Sequence, residues 1–600
     1  MWRRFLRAAR RSVVEVVKKA RFRIEHERQE GTSRDRSLAN QGNETGTAVD
    51  AGASPSVHTE VPVKNVIAEI IELGGRVAVD EEMPGNPVVL VEIGGAKVTD
   101  ARLDLLRNLP QLQDLSLWGW KIKDARLAYV QGLTQLYKLE LGASKVKGPG
   151  LKYLQGLSQL REVDLHSSHV TDDGLEYLRG LANLRVLNLS GSKVTDGGLK
   201  HLRGLPQLEI LRLDNTEITD AGLAYLLDLP QLRTLDLSCC SITGATLQHL
   251  KSSPRLQKLD LTGTRVTDTT LEHVKQFTQL RELILFGTAV TDAGLRLLTA
   301  LPRLEILDLT ATQVKAGGLK HLKTLKLLQE LGLCCIELTD VGLDYLGQLS
   351  QLRSLSLDAV GIGDPDLAHL KPLTRLQSLY LGGTGVTDTG LEHLRNLTQL
   401  RSLKLSRTAV SGEGLERLQG ARRLEELILE ASLVTDHGLG HIKNLARLKT
   451  LDLEDTQVTD AGLEHLRDLS ELEKLNLRAT QISDAGLESL KTLRQLTELI
   501  MEETSVTDAG LQYLGELHRL QTLNLSGTCV GDLGLEHIRG LTNLRTLHLA
   551  NTKLTVAGLE HLKALNQLQQ VTRYSTEVTD ENVIEFRKAM AARGQYLTVE

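Results

Sequence analysis

Leu448 to Leu469 read LKTLDLEDTQVTDAGLEHLRDL, and this stretch holds one complete structural unit. In Leu448-x-x-Leu451-x-Leu453 the closing alternation predicts a short strand with Leu451 and Leu453 turned inward. Thr456 and Val458 then turn the chain inside the coil. Asp460 is expected as a helix N-cap, its carboxylate accepting from the free N–H groups of the following turn. Leu463, Leu466 and Leu469 come next at three-residue spacing, the inner stripe of a short helix. Pro149 and Pro365 stand one residue past the offset of Asp460, where a first helical position tolerates proline.

Outward from this stretch, the unit recurs every 24 residues, 21 times, with no insertion or deletion. Asp fills the offset of Asp460 in 16 of the 21 units, from Asp100 to Asp580; Gly148, Gly244, Ala316, Gly412 and Val556 are the exceptions. Leu stands three residues further on in 20 of 21 units, with Val583 ending the series. Such a period predicts a solenoid, in which each coil buries its apolar face only by stacking on its neighbours. The expected core is a continuous parallel sheet of about 20 strands spaced ~4.8 Å apart.

LxxLxLxxTxV resembles the leucine-rich repeat, and VTDAGLEHL (Val458 to Leu466) resembles the version common in bacterial leucine-rich-repeat proteins. It is similar as well to ribonuclease-inhibitor-like horseshoes and F-box leucine-rich proteins. The family's ladder position, usually Asn or Cys, is here Thr in 12 of 20 cases and Ser in four, and only Cys240 is of the cysteine type. The resemblance implies an α/β leucine-rich-repeat solenoid, a horseshoe with a parallel concave sheet and short convex helices. For function it implies recognition of a protein.

The expected organisation is a basic amphipathic segment over 1–30, a disordered linker over 31–61, an N-terminal cap over 62–93, the solenoid over 94–580 and a C-terminal cap helix over 581–600. In the N-terminal cap Val66, Ile67, Ile70, Ile71 and Leu73 have helical spacing, and two alternating runs follow around Pro84 and Pro87. In the C-terminal helix Val583, Ile584 and Met590 are placed to cover the last coil. Residues 31–61 are rich in small polar residues with no periodicity. Residues 1–28 contain ten basic residues and an apolar helical face. That pattern fits a solvated helix or a misassigned start, and alternatively an anionic membrane surface or a targeting presequence. Glu15 interrupts what would be the apolar region of a secretory signal.

The formal charge of −5 gives no global reason to expect nucleic acid. Five cysteines, Cys239, Cys240, Cys334, Cys335 and Cys529, have no metal-type spacing and read as free, mostly buried thiols of a reducing, cytoplasmic compartment. No nucleophile elbow, phosphate-binding glycine loop or HExxH occurs, so neither an enzyme nor a cofactor is expected. Ten histidines, from His201 to His561, share one offset with six tyrosines. Convex segments some 8–10 Å apart would hold two such imidazoles too far apart to share an ion, so this row reads as a spacer and not a metal site.

Outward strand positions are where the repeats differ, as a recognition surface requires. Glu426, Glu430, Asp452, Glu454, Asp455, Glu498, Glu502 and Glu503 form an acidic cluster that a basic partner would relieve, with Lys474 and Arg478 neutralising part of it. Ile284 and Phe286 on one strand, with Tyr380 and Ile428 further along, make an apolar candidate, and Trp118 and Trp120 a third. The expected function is a protein-binding scaffold. The alternatives are an F-box-like substrate adaptor, although 1–61 does not resemble an F-box, and a membrane-surface protein acting through 1–28.

Overall fold

The computed structural model describes residues 62–600 apart from 74, 95–97, 120, 592, 594–596 and 600. The basic segment, the linker and Trp120 therefore lie outside the described residues. The chain divides into two compact units, one running to Leu232 and including Asp236–Ser241, the other comprising Arg233–Leu235 and Ile242–Glu600.

The first unit opens with helix α1 (Val63–Glu72), which buries Val66 and Ile70 and, just past its end, Leu73, and leaves Ile71 exposed. A hairpin follows: β1 (Arg76–Val79) runs antiparallel to β2 (Val88–Gly94), and β2 pairs in parallel with β3 (Asp114–Trp118). From there parallel strands follow one another to Ile210–Arg212, each in register with the residue 24 positions earlier. In the second unit the same register runs from Lys258–Asp260 to Gln570–Thr572. Helix Asp580–Ala591 then covers the end, and Thr598–Val599 pairs with Gln570–Thr572. Val583 and Met590 are buried as expected, but Ile584 is exposed and Phe586 takes its place against the core.

Leucine fills the interior. Leu448, Leu451, Leu453, Leu463, Leu466 and Leu469 are each fully buried, with Val458 between them. The threonine ladder serves the same interior by removing a polar cost. Thr456 Oγ1 donates to the Leu453 carbonyl at 2.6 Å, and Thr264, Thr288, Thr408 and Thr480 repeat the bond three residues back. A buried carbonyl at the end of each strand is thereby satisfied within its own coil. Cys240 instead reaches the preceding coil, its Sγ donating to the Leu213 carbonyl at 3.1 Å. Cys239 and Cys529 are exposed, against the expectation of mostly buried thiols.

The convex segments are short helices as expected, α-helical in Asp268–Val274, Asp292–Leu298 and Asp340–Gly347, and in other repeats they are tighter. Asp460–Leu463 is a single α-turn that passes directly into the 3₁₀ turn Glu464–Leu466. Leucines at i, i+3 and i+6 fit this geometry, since a 3₁₀ helix has three residues per turn.

Asp460 is not the N-cap. Thr459 holds that position, its side chain accepting from the Ala461 N–H, and Asp460 is the first helical residue. The Asp460 carboxylate reaches forward to the next coil, where Oδ1 accepts from the Ser483 N–H at 2.8 Å and Oδ2 from the Ser483 hydroxyl. Asp172, Asp196, Asp268, Asp364, Asp436, Asp484 and Asp532 make the same pair of bonds to the threonine 23 residues on. The glycine of the next unit completes the joint, because a Cβ on Gly462 would lie 2.4 Å from Asp436 Oδ1. Asp and Gly in VTDAGL are thus the two halves of a contact between consecutive repeats.

The exceptions to the Asp row have their own joints. At Gly148 and Gly412 the backbones close up, and the N–H groups of Thr171 and Thr435 turn to the carbonyls of Lys147 and Ser411. At Gly244 the following glycine is replaced by Thr270, whose hydroxyl donates to the Thr243 carbonyl at 2.8 Å.

Candidate protein-binding surface

From Lys138 to Thr572 the repeat strands are three residues long, and the central residue, nearly always leucine, points inward while the two flanking residues face outward, as in Thr450–Leu451–Asp452. Two to three residues later the chain steps through the left-handed region. Ala311, Ala359, Arg407, Ala431, Asp455, Ala479 and Glu503 have φ between 52° and 59°, and Gly263, Gly287, Gly383 and Gly527 occupy the same offset. This step ends the strand and turns the following residue back into the core, so the outward surface of a repeat is the strand flanks plus the residues around the step.

On these positions the structure brings the acidic candidates onto adjoining strands. Glu426↔Thr450, Asp452↔Asn476 and Lys474↔Glu498 are cross-strand partners. Arg478 sits among three of the acids, 2.6 Å from Glu454, 3.0 Å from Glu503 and 3.5 Å from Glu502. Lys474 pairs with Glu498 at 3.0 Å and Arg407 with Glu430 at 2.9 Å. Ser402 donates to Glu426, and Asn524 to Glu502. Eight acids therefore meet the four bases Lys404, Arg407, Lys474 and Arg478 across the outward positions of the strands between 402 and 503, a formal −8 + 4 = −4.

Asp452 lies at the centre of this surface without a cation beside it among the described residues. Burial pushes its carboxyl above the ordinary range. The Glu454 N–H and the Asn476 amide draw it back, and the charges of Glu454 and Glu430 add to the rise. Asp455 and Glu503 project from the left-handed step and are exposed.

The apolar candidates are less prominent. Ile284 ends its strand with Phe286 two residues past it, and both are half-buried. Tyr380 is half-buried too and lies under the Lys404 ammonium, 4.7 Å from the ring centre. Trp118 is 44% exposed and lies flat over the strand beside it, where a Cβ on Gly94 would strike its indole.

On the convex side the histidine row is half-buried at eight of its ten positions, with His465 and His537 exposed. One group there was not legible as a row: Glu413, His437 and His441 place one ligand-type atom each within 4.8 Å of one another.

Stretches of the chain match family models described as leucine-rich repeats, over 158–218, 231–253, 447–466, 470–491 and 517–538. The repeats are leucine-rich repeats. Among solved structures, this leucine-rich-repeat chain is similar to the TLR13–ssRNA13 complex at 20% identity, covering 74% of this chain and 67% of that one with a TM-score of 0.51. It also matches the mouse RP105/MD-1 complex at 18% identity, covering 80% and 84% with a TM-score of 0.45. An internalin C2 from Listeria monocytogenes is 26% identical over 36% of this chain and 84% of that one, with a TM-score of 0.29. No curated protein matches at a significant level. At these identities the likeness speaks to the solenoid fold alone. No helix among the described residues is long and apolar enough to cross a membrane.

Proposed function

We propose that this protein is a binding scaffold that holds a basic partner protein on the outward face of its strands, through the acidic stretch over 426–503. Its VTDAGL unit is of the type found in bacterial leucine-rich-repeat proteins. The observation that carries the reading is the surplus of acid on adjoining strands. After Arg407, Lys474 and Arg478 have made their pairs, Asp452 and Asp455 have no cation beside them among the described residues, and Asp452 is held above its ordinary range by burial. Acids this close repel one another, and a partner that brings Lys or Arg removes the repulsion while aligning itself by charge. Fixed leucines beneath and variable residues above let one frame present a specific pattern.

The test uses the full chain as bait, in parallel with the double variant Asp455→Lys/Glu503→Lys. Both positions are exposed, so the core is left intact. A basic protein enriched by the wild type should be lost from the variant, and its association rate should fall steeply with salt. Equal capture by both baits would place the binding surface elsewhere.

A further inference from the structure

We infer that Glu413, His437 and His441 form a binding site for a divalent transition-metal ion of the zinc class, bridging two consecutive repeats on the convex side. The sequence expectation of no metal considered the histidines as a row along the solenoid. This group is diagonal: Glu413 opens one convex segment (Glu413–Gly420), His437 is the second residue of the next (Asp436–Leu439), and His441 lies four residues further.

The joint here is one of those without Asp. Gly412 has φ +106°, and a Cβ on it would lie 2.5 Å from Gly438 Cα, so the two backbones touch. That contact sets the first residue of one segment beside the second residue of the next. Glu413 Oε1 is then 3.4 Å from His437 Nε2, and Oε2 is 3.8 Å from His441 Nε2. The imidazoles meet edge to face with ring centres 5.2 Å apart.

Two observations point to an ion in place of a simple ion pair. A tetrahedral ion with bonds of about 2.0–2.1 Å holds its ligand atoms roughly 3.3 Å apart, and one ligand atom from each of the three residues already lies within 4.8 Å of the other two. The second is that His441 Nε2 is buried and makes no hydrogen bond, a lone pair or N–H without a partner. Two imidazoles and one carboxylate are a donor set suited to zinc, and Glu413 and His437, both well exposed, leave room for solvent at the fourth position. With ligands from two repeats, a bound ion would fasten a joint that lacks the usual carboxylate bonds.

The experiment titrates the full chain with Zn²⁺ and, for its spectrum, Co²⁺. The wild type should bind one equivalent whose Co²⁺ spectrum shows nitrogen and oxygen ligation without thiolate charge transfer, which separates it from the exposed Cys239 and Cys529. His437→Gln and Glu413→Gln, both at exposed positions, should weaken that equivalent at least tenfold and abolish any zinc-dependent rise in melting temperature. His465→Gln, a row histidine outside the group, should leave both unchanged. Failure of the wild type to bind this equivalent, or unchanged binding in His437→Gln, would overturn the assignment.

Discussion

Replacing Asp460 by Ala tests the forward joint between repeats. The carboxylate accepts the Ser483 N–H and the Ser483 hydroxyl of the next coil, and among the described residues Ser483 N has no other partner. Alanine leaves a partly buried amide unsatisfied, at a cost of about 1–3 kcal/mol, and removes a charge-assisted bond of similar size. The expected loss is about 2–3 kcal/mol, larger than the ~1 kcal/mol of a missing helix cap. Asp460→Asn keeps an acceptor oxygen and should lose about half as much. Because repeat arrays need not unfold in one step, the readout is amide hydrogen exchange together with the melt. Exchange should accelerate at Ser483 and through Asp484–Leu487. The amides of Ala461 to Leu463, which a capping carboxylate would serve, should change little. Faster exchange confined to those three amides, with Ser483 still protected, would refute the forward joint and restore Asp460 as a cap.

Ala311→Gly should raise stability by about 0.5–1 kcal/mol, since φ of 56° strains alanine more than the added chain entropy of glycine costs. Ala461→Gly, within a helical turn, should lower it by a similar amount, and paired urea titrations would check the opposite signs. Asp452→Asn should stabilise at neutral pH, because burial disfavours the ionised carboxyl in the folded chain. With the folded pKa raised, the penalty is absent below the unfolded value near 3.9, grows as pH rises, and is complete above the folded pKa. The advantage of the variant should therefore vanish in melts near pH 3.5, and an advantage that grows on acidification would contradict the sign.

Much of the fold was legible because burial follows spacing: the Leu451/Leu453 alternation and the Leu463–Leu466–Leu469 triplet each find the core. The three-residue interval, read as a short helix, is met by α-helices in some repeats and by 3₁₀ turns in others. Asp460 was misread because one sequence position does not reveal whether its acceptor serves its own turn or the next coil. The clue lay 26 residues away, in the recurring glycine that the carboxylate of the preceding repeat requires, as Gly462 is for Asp436. Gly263, Gly287, Gly383, Gly527 and Asn551 likewise announced the left-handed step by sharing an offset. On the acidic surface the members were legible, but not which acids Arg478 would take. The Glu413 group was missed because a diagonal contact depends on the closeness of Gly412 and Gly438.

The forward joint also gives the molecule a direction of growth that matches protein synthesis. A chain emerging from the ribosome N-terminus first ends, after most repeats, in a coil offering a carboxylate, which water solvates readily until the next coil arrives. Built from the other end, the growing face would offer bare N–H groups and demand an acceptor not yet made. The last joint of the series is made differently. Val556 stands where the carboxylate would be, and the Thr579 N–H finds Asn582 Oδ1 within its own coil at 3.0 Å. Asp580, the last of the series, bonds back to Arg573.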